Sequence, residues 1–226
     1  MKAVFTGTVA DGSLDENDLF GTGSGTSALD GLSVIITALY DPDSATREEY
    51  DDGKSSYDYS YGGVGYLTSG PFQSILVTIN GVTKAVFSGV FGSVYATDTI
   101  SSNLSGFTIN GYDYLQPDPL GGIFDSLSVI LNVESLFGAI PSDLDQPFSL
   151  TAVPGGFIGS GNFQFFDFYN PCTAEDIEGY TFAFVSISSV TVESVGAAVV
   201  PLPASAFLLF GALGGLGALR LRRKAA

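Results

Sequence analysis

The sequence predicts an all-β fold, a jelly-roll-like β-sandwich at residues 1–195, followed by a single C-terminal hydrophobic transmembrane helix. Short β-rich runs, separated by Gly, Pro, Asn, Asp and Ser, fill the first 193 residues. No long segment before residue 200 places apolar residues at helical spacing with matching caps. The 18 Phe and 11 Tyr residues supply enough aromatic bulk to fill the space between two packed sheets.

The predicted strands follow one another at short intervals. Residues 3–10 alternate roughly at a period of two, as in a half-buried strand, whereas residues 32–40 are more continuously apolar, as in a strand covered on both faces. Residues 72–79 and 82–91 flank Asn80-Gly81, which takes the positive φ angles of a type I′ turn, so these runs are expected to pair as a hairpin. Further strands are predicted at residues 93–100, 106–110, 126–134, 148–153, 162–168 and 180–193.

Residues 41–66 do not fit the strand pattern as well. This stretch contains seven acids, two bases and five tyrosines. We expect its ends to continue neighbouring strands and its middle to form a long loop. A short helical turn is predicted at residues 44–50, with Ser44 as its cap.

Charge and residue usage exclude several classes of function. The net charge is −16, and all 24 acidic residues precede residue 194, so the body repels phosphate backbones and no nucleic-acid partner is expected. The chain has no His, which excludes catalytic Ser-His-Asp and Cys-His arrangements. Cys172 is the single cysteine, so an internal disulfide and a CxxC zinc site are both excluded.

A row of tyrosines is one candidate binding site. Tyr57, Tyr59 and Tyr61 stand at alternate positions, which places them on one face of a strand with Asp58 and Ser60 on the other. Exposed tyrosines can stack on sugar rings, but the same row can equally be a sheet face packed under a loop. The absence of Trp, a common sugar platform, weakens the carbohydrate interpretation.

An acidic turn is a second candidate. Asp11, Asp15, Asn17 and Asp18 bring oxygen ligands close together, as a Ca²⁺ site requires, although the spacing of an EF-hand is not met and a solvated turn is the simpler interpretation. The many carboxylates also permit a glycosidase pair, but no specific pair stands out. The sequence therefore predicts a non-enzymatic protein with no catalytic residues and no cofactor.

The C-terminal residues predict a membrane anchor. Residues 194–219 carry no charge, and Pro201 and Pro203 suit the start of a helix. A helix over residues 203–221 would span about 28 Å at about 1.5 Å per residue, close to the roughly 30 Å of a bilayer core. A basic cluster follows and predicts a cytoplasmic C-terminus: Arg220, Arg222, Arg223 and Lys224.

The same tail resembles a known sorting signal. Its five-residue motif is followed by an apolar helix and an Arg-rich end, and the motif consists of Val200, Pro201, Leu202, Pro203 and Ala204. This order is similar to the VPLPA variety of the PEP-CTERM signal of Gram-negative bacteria. The resemblance implies that residues 196–226 hold the protein transiently in the inner membrane until an exosortase, a membrane transpeptidase, processes it near the motif. It also implies a cell-surface or extracellular destination and an association with extracellular polysaccharide or biofilm.

Export also requires a leader segment. Members of that family begin with a secretory signal peptide, whereas the residues after Lys2 lack the apolar core of such a peptide. Residues 3–10 have instead the character of the first strand of a mature domain. Either the true translation start lies upstream of Met1 or this copy is not exported, and we expect the first.

Overall fold

The predicted all-β class is confirmed. The computed structural model describes residues 1–63, 69–86, 91–114, 124–168 and 177–195, and in these residues one antiparallel sheet contains 14 strands. The strands are β1 Lys2–Val9, β2 Leu14–Asp15, β3 Gly25–Thr26, β4 Ser33–Tyr40, β5 Thr46–Asp51, β6 Ser55–Gly62, β7 Phe72–Ile79, β8 Val82–Val86, β9 Phe91–Thr99, β10 Leu104–Tyr114, β11 Phe124–Leu136, β12 Phe148–Thr151, β13 Gly159–Phe168 and β14 Ile177–Glu193. A 3₁₀ turn, Pro42–Ser44, accompanies them.

The sheet is long and curled. Its strand order is β5-β6-β9-β10-β11-β13-β14-β1-β4-β7-β8, with β12 and β2 added to β14 and with β3 paired to β2. Strands far apart in that order nevertheless touch through their inward side chains. Phe107 on β10 lies with its ring centroid 6.1 Å from that of Phe5 on β1 and 6.3 Å from that of Tyr40 on β4. Curling therefore buries one face of the sheet against itself, and a jelly-roll arrangement of two layers stays a prediction.

Strand β14 joins two blocks of the sheet, β5 to β13 on one side and β1 to β8 on the other. Ile187 pairs with Gly159 of β13 on one edge and with Gly7 of β1 on the other. The register shifts between Thr6 and Gly7, where Ser188 forms an extra residue on the β14 side. A Cβ atom at Gly7 would collide with the carbonyl oxygen of Ser186, so this crossing of β1 and β14 requires glycine.

Alternation along the strands builds the core. In β4, Val34, Ile36 and Ala38 are buried while Ile35 between them remains 44% exposed. The expectation that residues 32–40 are covered on both faces is therefore wrong. The run is apolar throughout, but only every second side chain points into the curl.

The hairpin of β7 and β8 is confirmed. Ile79 pairs with Val82 across the turn, and the two turn residues take positive φ angles, 51° at Asn80 and 76° at Gly81. These angles match the type I′ turn that Asn-Gly favours, because neither residue is β-branched and both tolerate the left-handed region.

The long loop and the helical turn expected within residues 41–66 are both wrong. The chain makes a 3₁₀ turn at Pro42–Ser44, whose N-cap is Asp41 rather than Ser44, and then runs directly into β5. Strands β5 and β6 form a hairpin in which Glu49 pairs with Asp58. Pairing of β6 with β9 then joins this hairpin to the rest of the sheet.

The chain divides into Met1–Ser194 and Val195–Ala226. In the segments that the structure describes, no helix is long and apolar enough to cross a membrane. The predicted span at residues 203–221 lies outside the described residues, as does Cys172.

The Asp30 carboxylate stabilises the connection between β1 and β4. Asp30 accepts hydrogen bonds from the backbone N–H groups of Ser13, at 2.9 Å, and Gly12, at 3.1 Å. The hydroxyl and backbone N–H of Ser13 hold the pKa of Asp30 at about 2, below the usual value of 3.8.

The hydrogen bonds of Asp30 predict a loss of stability in acid. Because the pKa of Asp30 is lower in the folded chain, the unfolded chain binds the proton first, and the stabilisation is lost as pH falls from about 4 towards 2. We expect Asp30→Asn to lower the free energy of unfolding at pH 7 and to flatten its decline over that window. Urea unfolding between pH 2 and pH 7 measures both effects. An unchanged pH profile in Asp30→Asn would contradict the assignment.

Candidate functional site

Five tyrosines form one outward surface of the sheet, which we name the tyrosine face: Tyr50 on β5, Tyr57, Tyr59 and Tyr61 on β6, and Tyr95 on β9. In β6 the three tyrosines are partly exposed while Asp58 and Ser60 are buried, so the predicted alternation is confirmed. Strand pairing sets Tyr50 opposite Tyr57, and Tyr59 opposite Tyr95. The prediction from the sequence did not include Tyr95, because nothing within residues 93–100 shows that this strand lies beside β6.

The rings of the tyrosine face are in mutual contact. Their centroids are 5.4 Å apart for Tyr50 and Tyr57, 4.8 Å for Tyr59 and Tyr61, and 5.8 Å for Tyr59 and Tyr95. Such cross-strand and same-face pairs stabilise a sheet surface and restrict ring motion. The face is therefore a preformed aromatic surface, and Tyr50 at its edge is 47% exposed.

Carboxylates hold two of the phenol groups. The Tyr61 hydroxyl donates to Oε1 of Glu48 at 3.0 Å, and the Tyr50 hydroxyl donates to Oδ2 of Asp52 at 3.0 Å. The hydrogen bond to Asp52 raises the pKa of Tyr50 above its ordinary value. These bonds fix the ring edges, while Tyr50 stacks on Tyr57 and Tyr59 stacks on Tyr61.

A row of polar side chains continues the face. In register, Tyr95 on β9 is followed by Thr108 on β10 and then by Asn132 on β11. Thr108 donates to Oδ1 of Asn132 at 2.9 Å, and Nδ2 of Asn132 donates to Oε1 of Glu134 at 3.2 Å. Both ends of the Asn132 amide are therefore oriented by neighbours. Aromatic rings beside oriented polar groups are typical of small-molecule and sugar sites.

The opposite side of the β5–β6 hairpin carries a charged network instead. Arg47 makes a bidentate pair with the buried Asp58, at 3.0 Å from Nε and 2.6 Å from Nη2. Its Nη1 also reaches Asp43 at 2.7 Å and Asp145 at 2.8 Å. The hydrogen bond to Asp58 raises the pKa of Arg47 further above its ordinary value, although burial opposes this.

This network anchors a loop. Oδ2 of Asp58 also accepts the backbone N–H of Leu144 at 2.8 Å, and the buried Tyr40 hydroxyl donates to the carbonyl of the same residue at 3.2 Å. Leu144 is thereby held against the hairpin from two directions. The acidic side chains around Arg47 line a cleft of about 570 Å³ together with Tyr50 and Tyr57. The contacts of Asp58 and Asp145 fix the tyrosine-bearing hairpin to residues 141–146.

The calcium candidates are dispersed. Asp15 is fully buried and accepts from the N–H of Leu19 at 2.9 Å, the N–H of Phe20 at 3.3 Å and the hydroxyl of Thr181 at 2.8 Å. Asp18 accepts from Gly23 N–H at 2.7 Å. The other two candidates, Asp11 and Asn17, are exposed. Within the described ranges, no group of three or more His, Cys, Asp or Glu side chains is arranged to hold a metal ion.

The sorting motif Val200–Ala204 and the basic residues 220–224 lie outside the described residues. Their assignment stays a prediction from the sequence. Comparison of the chain with protein families, with curated proteins and with solved structures finds no match.

The burial of Asp15 predicts a structural rather than a metal-binding role. In Asp15→Ala, the N–H groups of Leu19 and Phe20 and the Thr181 hydroxyl lose their acceptor, which is expected to cost about 2–4 kcal/mol of unfolding free energy. The matched variant Asp11→Ala removes an exposed acid from the same segment, with an expected change within about 0.5 kcal/mol. Chemical denaturation with and without millimolar Ca²⁺ measures both variants. Equal effects of the two substitutions, or stabilisation of the parent by Ca²⁺, would contradict this role.

Proposed function

We propose that this chain is a non-enzymatic surface protein of a bacterial cell envelope whose β domain binds extracellular polysaccharide. Residues 1–195 form the exported module, with a sandwich-like fold. Residues 196–226 serve as a sorting segment that is recognised by an exosortase-type transpeptidase. The observation that carries the binding function is the tyrosine face.

The tyrosine face suits a sugar chain for a physical reason. A pyranose ring presents C–H bonds on its faces, and these partly positive hydrogens pack against the negative face of an aromatic ring. Each stacked tyrosine pair keeps its outer ring faces for a ligand, so successive sugar units can pack against them without a deep pocket. The rings are already positioned by each other, which lowers the entropy lost on binding.

Charge favours glycans without acidic groups. The chain carries a net charge of −16, and carboxylates of Glu48 and Asp52 bond the phenol groups of the tyrosine face. An acidic polymer would be repelled by this surface, whereas a neutral or amino sugar would not. The same field disfavours nucleic acid.

The sorting role comes from the tail residues. The motif Val200–Ala204, the apolar residues 203–221 and the basic end stand in the order that the VPLPA signal has. In this proposal the apolar helix holds the protein in the inner membrane, with the basic end in the cytoplasm. Processing near the motif then frees the β domain for the cell surface.

The tyrosine face is tested by removing two of its rings. In the double variant Tyr57→Ala with Tyr59→Ala, two stacking surfaces are lost, each worth roughly 1–3 kcal/mol by analogy with base stacking. We expect binding of the full chain, in mild detergent, to an array of bacterial polysaccharides to fall by at least about tenfold. The control is Thr78→Val on β7, a partly exposed strand position that is not part of the face. Equal binding by the double variant and the control would refute the assignment.

Processing of the tail is tested in a host that has an exosortase. The parent should yield a surface form whose mass places its end near Val200–Ala204, without the basic cluster. Pro201→Ala with Pro203→Ala should leave a full-length precursor in the membrane, because the apolar span and its basic end remain while the recognition motif is altered. If the double proline variant is trimmed as efficiently as the parent, the tail is an anchor and not a sorting signal.

A further inference from the structure

We infer that a cleft beside the tyrosine face is a subsite for a single pyranose ring that bears no acidic group. The inference deepens the proposed function and rests on it, since the cleft would hold one unit of the glycan that the tyrosines bind. The cleft lies over strands β9, β10 and β11 and has a volume of about 260 Å³. This is slightly below the range of about 300–1,000 Å³ typical of pockets for larger ligands, as expected for one sugar ring.

The shape of the cleft depends on Gly106. In register, Gly106 on β10 lies between Thr97 on β9 and Glu134 on β11. Its neighbours carry side chains that rise from the sheet, whereas Gly106 carries none, and a depression results. A Cβ atom placed there would lie 3.3 Å from Cγ2 of Thr97 and 3.6 Å from the carbonyl oxygen of Val133. The absence of a side chain at Gly106 therefore forms the bottom of the cleft.

Oriented polar groups border the depression on one side. The Asn132 amide, fixed between Thr108 and Glu134, presents a donor and an acceptor, and the Glu134 carboxylate presents acceptors. Sugar hydroxyls both donate and accept, so neighbouring hydroxyls of one ring can bind this amide–carboxylate pair. Both side chains line the cleft together with Tyr95.

Tyr95 belongs to the cleft and to the tyrosine face at once. Its ring is 6.0 Å from that of Tyr57, which lies in the same cross-strand row as Thr97 and Gly106. Two strand spacings, roughly 10 Å, separate Tyr57 from Gly106. A ligand that contacts both is therefore an oligosaccharide, with one unit in the cleft and others stacked on the tyrosines.

The charge around the cleft sets the sugar class. Glu134 is exposed at its border, and none of the side chains that line the cleft in the described residues is Lys or Arg. A uronic acid bound here would place two carboxylates close together without a counter-charge. A neutral or amino sugar avoids this repulsion, so selection against acidic sugars is built into the cleft.

The test fills the cleft without touching the tyrosines. Gly106 is not in the left-handed region of φ, and a strand accepts a β-branched residue. Gly106→Val should therefore fold with its methyl groups in the depression, once the Thr97 side chain, which lies 3.3 Å from the new Cβ, moves aside by a few tenths of an ångström. The full chain in mild detergent is titrated with hexasaccharides of glucose, mannose, galactose and glucosamine, and with a galacturonic acid hexamer. We expect the parent to bind at least one of the first four, and Gly106→Val to bind it at least tenfold more weakly. Ser33→Val on β4, a small-to-valine change at an exposed strand position, is the control and should bind as the parent does.

A second variant tests the charge selection without filling the cleft. Glu134→Gln keeps the shape and an acceptor but removes the negative charge. We expect Glu134→Gln to reduce the ratio of affinities for non-acidic and galacturonic hexasaccharides by roughly threefold to fivefold. This is the effect of removing one repulsion between two charges a few ångströms apart in water. Thermal unfolding of each variant verifies that it is folded. If Gly106→Val fails to fold, the preference measured for Glu134→Gln tests the subsite.

The outcomes separate the two levels of the proposal. If the parent binds neither the polysaccharide array nor any hexasaccharide, the proposed function is overturned and the subsite with it. If it binds the array but none of the four non-acidic hexasaccharides, the tyrosine face stands and the subsite is refuted. If the parent binds and loses binding in Tyr57→Ala with Tyr59→Ala, but folded Gly106→Val binds as the parent does, the tyrosine face stands and the subsite is refuted. A preference for the galacturonic acid hexamer, or one that Glu134→Gln leaves unchanged, refutes the selection against acidic sugars.

Discussion

Pairing of β14 with β1 on one edge and with β13 on the other is the interaction on which the rest of the sheet depends. In the strand order, β14 joins the block from β5 to β13 to the block from β1 to β8. Lys2 and Glu193, which are 191 positions apart in sequence, meet across this junction at 2.9 Å. Closing such a long connection is costly in entropy and slow, so the two blocks are joined only after residue 193 has been made. The cross-curl packing of Phe5 on Phe107 requires that junction, because the two rings lie on different sides of it.

The tyrosine face is attached to this framework by polar contacts. The β5–β6 hairpin lies at one end of the strand order, and its buried side presents Asp58 and Ser60 where most strands present aliphatic residues. Ser60 donates to the carbonyl of Pro42 at 2.7 Å, and Asp58 binds both Arg47 and the N–H of Leu144. Buried polar groups tolerate few alternative arrangements, because an unmet partner is costly. The hairpin is therefore held in one register, which fixes which tyrosines lie side by side.

Local patterns predicted the features that local chemistry determines. Asn80-Gly81 marked its hairpin because the two residues favour the turn angles by themselves, and alternation alone placed Tyr57, Tyr59 and Tyr61 on one face. Strand β5 could not be predicted in this way. Its charged side chains are typical of a loop, and Arg47 among them is ordered by Asp58 and Asp145, of which the second lies about a hundred positions away along the chain. The exposure of Ile35 could not be predicted either, because composition does not show which face of a strand is buried inside the curled sheet.

The candidate site depends still more on distant pairings. Tyr95, Thr108 and Asn132 come from three strands, and each looks like an ordinary outward residue in its own segment. Only the strand order shows that they form one row, and that a missing side chain at Gly106 opens a depression next to it. The charge of the chain then limits what that surface can bind. Four basic residues lie in the described ranges. Arg47 is enclosed by carboxylates and Lys2 is paired with Glu193, while Lys54 and Lys84 are not among the residues that line the cleft, so no cation is placed there to attract an acidic ligand. Affinity must come from ring faces and oriented hydrogen bonds, and these interactions select the shape and hydroxyl pattern of a ligand rather than its charge.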